Sequence, residues 1–171
     1  MNKSSVYLRY IEVKDAELVL EWENNEENWA VSQNDSPYSI YDILVLIGEL
    51  QNVSKAKQAR WMICLSENDK AIGNVDLTEI DFNKMEATIG ILIACKEYRR
   101  KGFASKAIKL IESKAVALNL KKLHCSVHKD NIGSCNLFIK NKFMKIGEKL
   151  ELEFKGGAYI DILLLEKWLK K

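Results

Sequence analysis

Apolar positions along the chain fall into stretches of period two and stretches of helical period. Val6 to Ile11 alternates and predicts a first strand. Ala16, Leu18, Val19, Leu20 and Trp22 then give a helix an apolar face, with Asp15 placed to cap it. The acidic stretch that follows, through Trp29, reads as a loop or a short second helix. Asn34-Asp35-Ser36-Pro37 contains the only proline and marks a break. From Ser39, the apolar positions Ile43, Leu44, Leu46 and Ile47 predict a helix to about Leu50.

The middle of the chain reads as sheet. Arg60 to Leu65 alternates into a turn at Glu67-Asn68-Asp69-Lys70, and Ala71 to Ile80 is the return strand. Asp81-Phe82-Asn83-Lys84 turns into a strand over 86–94, whose run Ile89-Gly90-Ile91-Leu92-Ile93-Ala94 is apolar enough to be buried. Ala107, Ile108, Leu110, Ile111, Ala115 and Val116 predict an amphipathic helix ending near Leu118, with Asn119 as a stop. A strand over Lys122 to Val127 and a short helix over Ile132 to Lys142 follow. Met144 to Phe154 and Ala158 to Leu165 form a closing, hairpin-like pair about Gly156-Gly157. The order β, α, α, β, β, β, α, β, α, β, β predicts an α/β fold with a mixed sheet. No repeat, low-complexity segment or linker divides the 171 residues, so a single domain over 1–171 is expected.

Composition narrows the class. Hydrophobic residues make up 47% and charged residues 29%, which suits a globular chain. The net charge of +2 is too balanced for a nucleic-acid binder, and basic residues form no aromatic-interleaved stripe. No apolar run reaches the roughly 18 residues of a membrane span. The N-terminus Met-Asn-Lys-Ser-Ser-Val-Tyr-Leu-Arg has no apolar signal-peptide core. Cys64, Cys95, Cys125 and Cys135 are scattered, and only His124 and His128 could join them in a metal site. Adjacent His124 and Cys125 face opposite sides of a strand. Free thiols in a reducing cytosol, no metal and a cytoplasmic location are therefore expected.

The chemistry concentrates at Glu97-Tyr98-Arg99-Arg100-Lys101-Gly102-Phe103-Ala104-Ser105, between the buried strand and the long helix. A strand passing through a basic, Gly-containing loop into a helix gathers free N–H groups and a positive dipole end, a place for a phosphate or pyrophosphate. Neither G-x-x-x-x-G-K-[ST] nor G-x-G-x-x-G is present, which disfavours a nucleotide triphosphatase or a Rossmann dehydrogenase.

Arg99-x-x-Gly102-x-Ala104 resembles the [QR]-x-x-G-x-[GA] signature with which the GNAT superfamily of acetyltransferases grips the pyrophosphate of acetyl-CoA. Asn131-x-x-Ser134-x-x-Leu137-Phe138-x-Lys140-x-Lys142-Phe143 is similar to the family's later N-x-x-[SA]-x-x-[LF]-[YF]-x-K-x-G-F stretch. The resemblance extends from Leu8-Arg9 to the final strand. Leu8-Arg9…Asp15…Trp22 and Ser36-Pro37-Tyr38-Ser39 look like the branch holding spermidine/diamine and ribosomal-protein N-terminal acetyltransferases.

The resemblance implies a GNAT-like fold: a central mixed, mostly antiparallel sheet, splayed at two parallel strands and flanked by helices. It implies acetyl-CoA as cosubstrate, lying in the splay. A bulge near Ile93-Ala94 would free the backbone of Ile91, Leu92 and Ile93 for the pantetheine arm and thioester carbonyl. Arg99, Arg100, Lys101, Gly102, Phe103, Ala104 and Ser105 would hold the pyrophosphate. Asn131 would bond the pantetheine amides, with Ser134 and Lys140 near the CoA. Read from the residues alone, Asn131 is an N-cap of the 132–142 helix.

The implied reaction is attack of an amine on a thioester. An alkyl ammonium with a pKa near 10.4 is deprotonated in only about one molecule in a few thousand at pH 7, so a proton must be removed. Glu21, Glu23, Glu26 and Glu27 in the N-terminal acceptor wall, and Glu86 at the start of the CoA strand, are candidate bases. As a group the acidic residues suit a cationic acceptor such as a polyamine, with a small amine or a protein N-terminus as alternatives. Many relatives place a tyrosine, the acid for the leaving thiolate, where this chain has Phe138. Ser134, Cys135, Tyr98 or water are the available replacements. Lys142 stands where the family has glycine. No cysteine matches an acyl-carrier position, so direct transfer is expected. A non-catalytic acetyl-CoA sensor is the alternative from another class, and a homo-oligomer is left open.

Overall fold

In the computed structural model, residues 5–29, 37–155 and 158–170 are described. In chain order the elements are β1 (Val6–Tyr10), α1 (Ala16–Glu23), α2 (Glu26–Trp29), α3 (Ile40–Leu50), α4 (Val53–Ala56), β2 (Ala59–Leu65), β3 (Ala71–Asp81), β4 (Glu86–Ile93), α5 (Phe103–Ala117), β5 (Lys122–His128), α6 (Ile132–Lys140), β6 (Met144–Lys155) and β7 (Ala158–Trp168). The strands form one sheet in the order β1-β2-β3-β4-β5-β7-β6. The β4–β5 pair is parallel and the other five pairs are antiparallel.

Alternation along the strands sends side chains to two separate cores. On one face Trp61, Ile63, Val75, Leu77, Ile89 and Leu123 meet α5 through Ala107, Ile108, Ile111 and Ala115, and α6 through Cys135 and Phe138. On the other face Met62 and Cys64 meet α1 through Val19 and Trp22, and α3 through Ile43, Ile47 and Leu50. The sheet is thus clamped by α1 and α3 on one side and by α5 and α6 on the other.

Local signals in the sequence explain most element ends. Ser39 caps α3: its side chain accepts from the Asp42 N–H (3.3 Å), and the Asp42 carboxylate accepts from the Ser39 N–H (2.8 Å). Asn119 adopts φ 60° and stops α5, while the Leu120 N–H donates back to the Ala115 carbonyl (3.0 Å). The short α4, absent from the sequence reading, starts with an Asn52 side-chain cap and ends at Lys57 with φ 56°. The turn expected at Gly156-Gly157 and the break at residues 34–36 lie outside the described residues.

One cap differs from expectation. Asp15 precedes α1 but makes no side-chain cap on it. Its carboxylate accepts from Arg9 at both oxygens (2.7 Å each) and from the Glu12 N–H (2.8 Å). The bidentate guanidinium outcompetes the helix amides for an acceptor that is almost fully buried. Burial by itself would raise the Asp15 pKa, but the Arg9 and Glu12 hydrogen bonds and the Arg9 charge outweigh it and hold it below the usual range.

Candidate functional site

The parallel pair is joined only at its start. Glu86, Ala87 and Thr88 lie beside Lys122, Leu123 and His124, and no pairing continues beyond them. From Ile89 onward β4 stays in register with β3 as far as Ile93. β5 meanwhile keeps its register with β7 to His128. The two strands therefore diverge, and the β5-facing backbone groups of Ile89 to Ile93 have lost their ladder. Near Ile93-Ala94, where a bulge is expected, the Ala94 and Cys95 N–H groups both donate to the Ile72 carbonyl (2.9 and 3.2 Å), and a further register shift in β3–β4 lies at the other end, between Thr78 and Asp81, where Glu79 has φ 50°.

A cleft of about 500 Å³ opens into this divergence. One wall is Ile91, Leu92 and Ile93, and the facing wall is Asn131, Ser134, Leu137 and Lys140 of α6 and its cap. Its end is made by Arg99, Arg100, Gly102, Phe103, Ala104 and Ser105, and its rim by Glu27, Asn28 and Tyr98. The chain has built an opening between two strands with a helix N-terminus at one end.

That end has the form of an anion site. Gly102 is the N-cap of α5 at φ 86°, and Arg100 is also left-handed at φ 59°. Such alternation turns successive N–H groups to one side. The first helical bond is from the Lys106 N–H to the Gly102 carbonyl (3.2 Å), so the amides of Phe103, Ala104 and Ser105 precede it. A β-carbon at Gly102 would meet nothing within 4 Å, so the space above the loop is open. Phe103 offers only its backbone, because its ring is buried edge-on to Tyr98 (5.9 Å).

Several expected side chains are placed differently. The Arg99 Nε donates to the Ile93 carbonyl (2.8 Å), and its Nη2 to the Ala94 carbonyl (3.1 Å) and to Asn28 Oδ1 (3.0 Å). Its guanidinium closes the exit of β4 and occupies the Ile93 carbonyl. Lys101 is not part of the cleft; its ammonium sits over the Tyr98 ring (5.8 Å). Asn131 caps α6 by accepting from the Ser134 N–H (3.0 Å), and it also lines the cleft.

The candidate bases and acids are also sorted. Glu23 is bound to Arg60 (2.7 Å), which also grips Asp76 through two nitrogens (2.8 and 3.0 Å). This half-buried network sits apart from the cleft lining. Glu86 lies where β4 starts, seven residues or roughly 23 Å of strand from Ile93. There Lys122 (3.0 Å) and His124 (3.2 Å) bond its carboxylate and hold its pKa below the ordinary value. Neither residue is brought to the cleft. Glu27 is the carboxylate on the rim, and the Lys96 ammonium lowers its pKa through an ion pair (2.6 Å).

Cys135 is buried, and its thiol faces the His128 carbonyl (3.7 Å) instead of the cleft. Burial raises the pKa of all four thiols, that of Cys125 to about 12. None is thus poised as a thiolate nucleophile near neutral pH. Phe138 is buried against Phe143 (ring centroids 5.0 Å apart, 75° between planes). The hydroxyls on the cleft belong to Tyr98, Ser105 and Ser134, and that of Ser105 donates to Asn141 Oδ1 (2.8 Å). Lys142 adopts φ 70°, a conformation suited to glycine, which accounts for helix α6 ending at Lys140. Among the described residues no cluster of histidine, cysteine and carboxylate could hold a metal ion, and no helix is long and apolar enough to cross a membrane.

Comparison with known proteins agrees with this fold. The family model for the acetyltransferase (GNAT) domain matches residues 5–144. The chain is 28% identical over 162 residues to an uncharacterised N-acetyltransferase, p20, of Bacillus licheniformis, covering 92% of this chain and 89% of that one. It is 29% identical over 159 residues to spermidine N(1)-acetyltransferase of Escherichia coli, covering 91% and 81%. Its fold is similar to that of spermidine N-acetyltransferase from Vibrio cholerae solved with CoA and spermine, at 25% identity, 96% coverage of both chains and a TM-score of 0.87. A dodecameric structure of the Vibrio cholerae enzyme matches with a TM-score of 0.80 at 25% identity, covering 96% and 94%.

Proposed function

The chain belongs to the GNAT acetyltransferase family, and from that premise we propose that its acceptor is a polyamine. The reaction is transfer of an acetyl group from acetyl-CoA to an amine. The observation that carries the site assignment is the divergence of β4 from β5 after three paired positions, with left-handed Gly102 at the end of the opening.

In this reading the amides of Gly102, Phe103, Ala104 and Ser105 take the pyrophosphate, with Arg100 and Lys140 as flanking charges. The backbone of Ile91, released from β5, lines the pantetheine and the thioester carbonyl, with Leu92 beside it turned toward β3. Asn131 and Ser134 face them from α6. Arg99 contributes by shaping the loop, and Lys101 contributes only long-range charge. The amine nitrogen attacks the carbonyl carbon, the new C–N bond replaces C–S, and the sulfur leaves as a thiolate. A thiol pKa near 8.5 makes that departure easy, so the missing tyrosine at Phe138 is tolerated. Ser134 and Tyr98 are the hydroxyls placed to return a proton. Water carries the ammonium proton away, since Glu23 and Glu86 stand off the cleft and Glu27 is paired.

The polyamine assignment rests on the acidic α2 at the rim and on the likeness to spermidine acetyltransferases. The whole chain, residues 1–171, acts as a single domain in the cytoplasm, where acetyl-CoA meets reduced thiols. Its partners are acetyl-CoA, the amine and further copies of itself, as in the dodecameric relative; neither nucleic acid nor a membrane is among them.

Free-thiol release from acetyl-CoA, with spermidine, spermine, small diamines and short peptides as acceptors, tests the proposal. Polyamine-dependent release that disappears in Gly102→Glu is the expected result. Release with peptides alone would reassign the acceptor to a protein N-terminus. CoA binding by calorimetry without turnover of any amine would favour a sensor.

A further inference from the structure

Arg99 is the first residue of the pyrophosphate-loop motif, yet its guanidinium reaches backwards and sideways. Two of its hydrogen bonds close the exit of β4, at the Ile93 and Ala94 carbonyls. The third crosses to Asn28 Oδ1 (3.0 Å) on α2. Asn28 is buried, and its Nδ2 donates to the Trp22 carbonyl at the end of α1 (2.9 Å). One amide thus joins α1, α2 and the cofactor strand. A second link runs parallel to it, from Lys96 in the same loop to Glu27 on the same helix. That pair is exposed and contributes little. The Arg99–Asn28 link is charge-assisted and shielded from water, so it is the stronger of the two.

The placement has a consequence for both substrates. Arg99 stands three residues before Gly102, where the amides assigned to the pyrophosphate begin. Helix α2 holds Glu27 at the rim assigned to the acceptor, next to Glu26 in the sequence. Only four residues long, α2 cannot hold itself in place by its own hydrogen bonds. Its position depends on what it is tied to.

We propose that Arg99 and Asn28 are positioning residues, a clasp that fastens the acceptor wall to the cofactor loop so that occupancy of the loop strengthens acceptor binding. The inference rests on the reading of α2 as acceptor wall given above. Ordering of the loop by CoA fixes Arg99, Arg99 fixes Asn28, and α2 then presents its carboxylates in one arrangement. By reciprocity, acceptor binding tightens CoA by the same factor.

The test uses the full chain with Asn28→Ala and Asn28→Asp, with spermidine as probe at saturating acetyl-CoA. Asn28→Ala is expected to raise the spermidine KM about tenfold, the loss set by one charge-assisted bond, with a much smaller change in kcat and in the Kd for CoA alone. Asn28→Asp keeps an acceptor for the guanidinium and is expected to recover most of the affinity. Amide hydrogen exchange over residues 26–29 gives a readout independent of the acceptor. CoA should slow it in the wild type and leave it unchanged in Asn28→Ala. An unchanged spermidine KM, or a CoA Kd weakened as much as the KM, overturns the clasp. So does exchange at α2 that ignores CoA. If the wild type does not acetylate spermidine, the polyamine assignment falls, and the exchange experiment still decides the clasp.

Discussion

Gly73 on β3 lies directly under the Leu92 carbonyl of β4. A β-carbon at Gly73 would overlap that oxygen and stand 2.9 Å from the Ile93 α-carbon. Both obstacles are backbone, so neither can swing aside. The residue that lets β3 approach β4 closely therefore also sets the position of the cofactor wall.

Gly73→Ala is accordingly expected to destabilise by roughly 2 kcal/mol, the scale of overpacking a filled site. In a chain of this size that lowers Tm by about 4–8 °C. CoA affinity should fall as well, because Leu92 must move. Thermal unfolding with and without CoA reads both effects. A variant with wild-type Tm and affinity would show that the β3–β4 approach is not fixed by this contact.

Lys142 at φ 70° makes the opposite prediction. A left-handed conformation costs a side-chain-bearing residue roughly 1–2 kcal/mol, part of which glycine gives back as extra freedom in the unfolded chain. Lys142→Gly should therefore stabilise by about 0.5–1 kcal/mol, raising Tm by a few degrees and leaving CoA affinity unaltered. Denaturant unfolding, read as a shift in midpoint at constant slope, checks it.

Arg9 and Asp15 govern behaviour in acid. Asp15 has its folded pKa depressed, since the Arg9 and Glu12 bonds outweigh burial. Its contribution is thus present above the unfolded carboxylate pKa, near 3.9, and is lost as pH falls through the lower folded value. Stability should decline below about pH 4 in the wild type. Asp15→Ala should cost about 3 kcal/mol at neutral pH, because it strands a half-buried guanidinium, and its stability should fall less steeply in acid. Urea unfolding at a series of pH values measures the slope.

Placing Glu23 and Glu86 off the cleft predicts their dispensability in catalysis. Glu86→Gln should leave kcat essentially unchanged, whereas removing a true general base costs about 10²–10⁴. With no carboxylate of raised pKa on the described cleft, kcat/KM for an amine should climb with pH, following the deprotonated fraction of the substrate toward its own pKa. A plateau near neutral pH would point to a base within the enzyme.

The sequence carried the fold well wherever a signal is local. Ser39 with Asp42 and Asn119 after α5 each fix an element through neighbours in the chain, whereas the alternation expected over Arg60 to Leu65 gives way to a strand buried on both faces. The cofactor loop was legible for the same reason: Gly102 between an apolar strand and a helical period needs no distant partner to be recognised. Side-chain partners were not. Asp15 looks like a cap until Arg9 from β1 claims it, and Arg99 looks like an anion ligand until Asn28 and the β4 carbonyls claim it. Glu86 is seven residues from Ile93 in the sequence, but only the extended strand shows that this is a large distance. Gly73 and Asn28 carry no local signature, because each matters through a contact that the sheet or the loop creates.

The most direct test of the account is a crystal structure of the chain with CoA. The pyrophosphate is expected on the amides of Gly102 to Ser105, with the pantetheine between β4 and β5 against Ile91 and Leu92. A second opening, of about 830 Å³ and lined by Lys109, Lys142, Lys167 and Trp168, offers a basic alternative on the far side of α5. CoA seated there, with the Gly102 loop empty, would contradict the assignment of the active site.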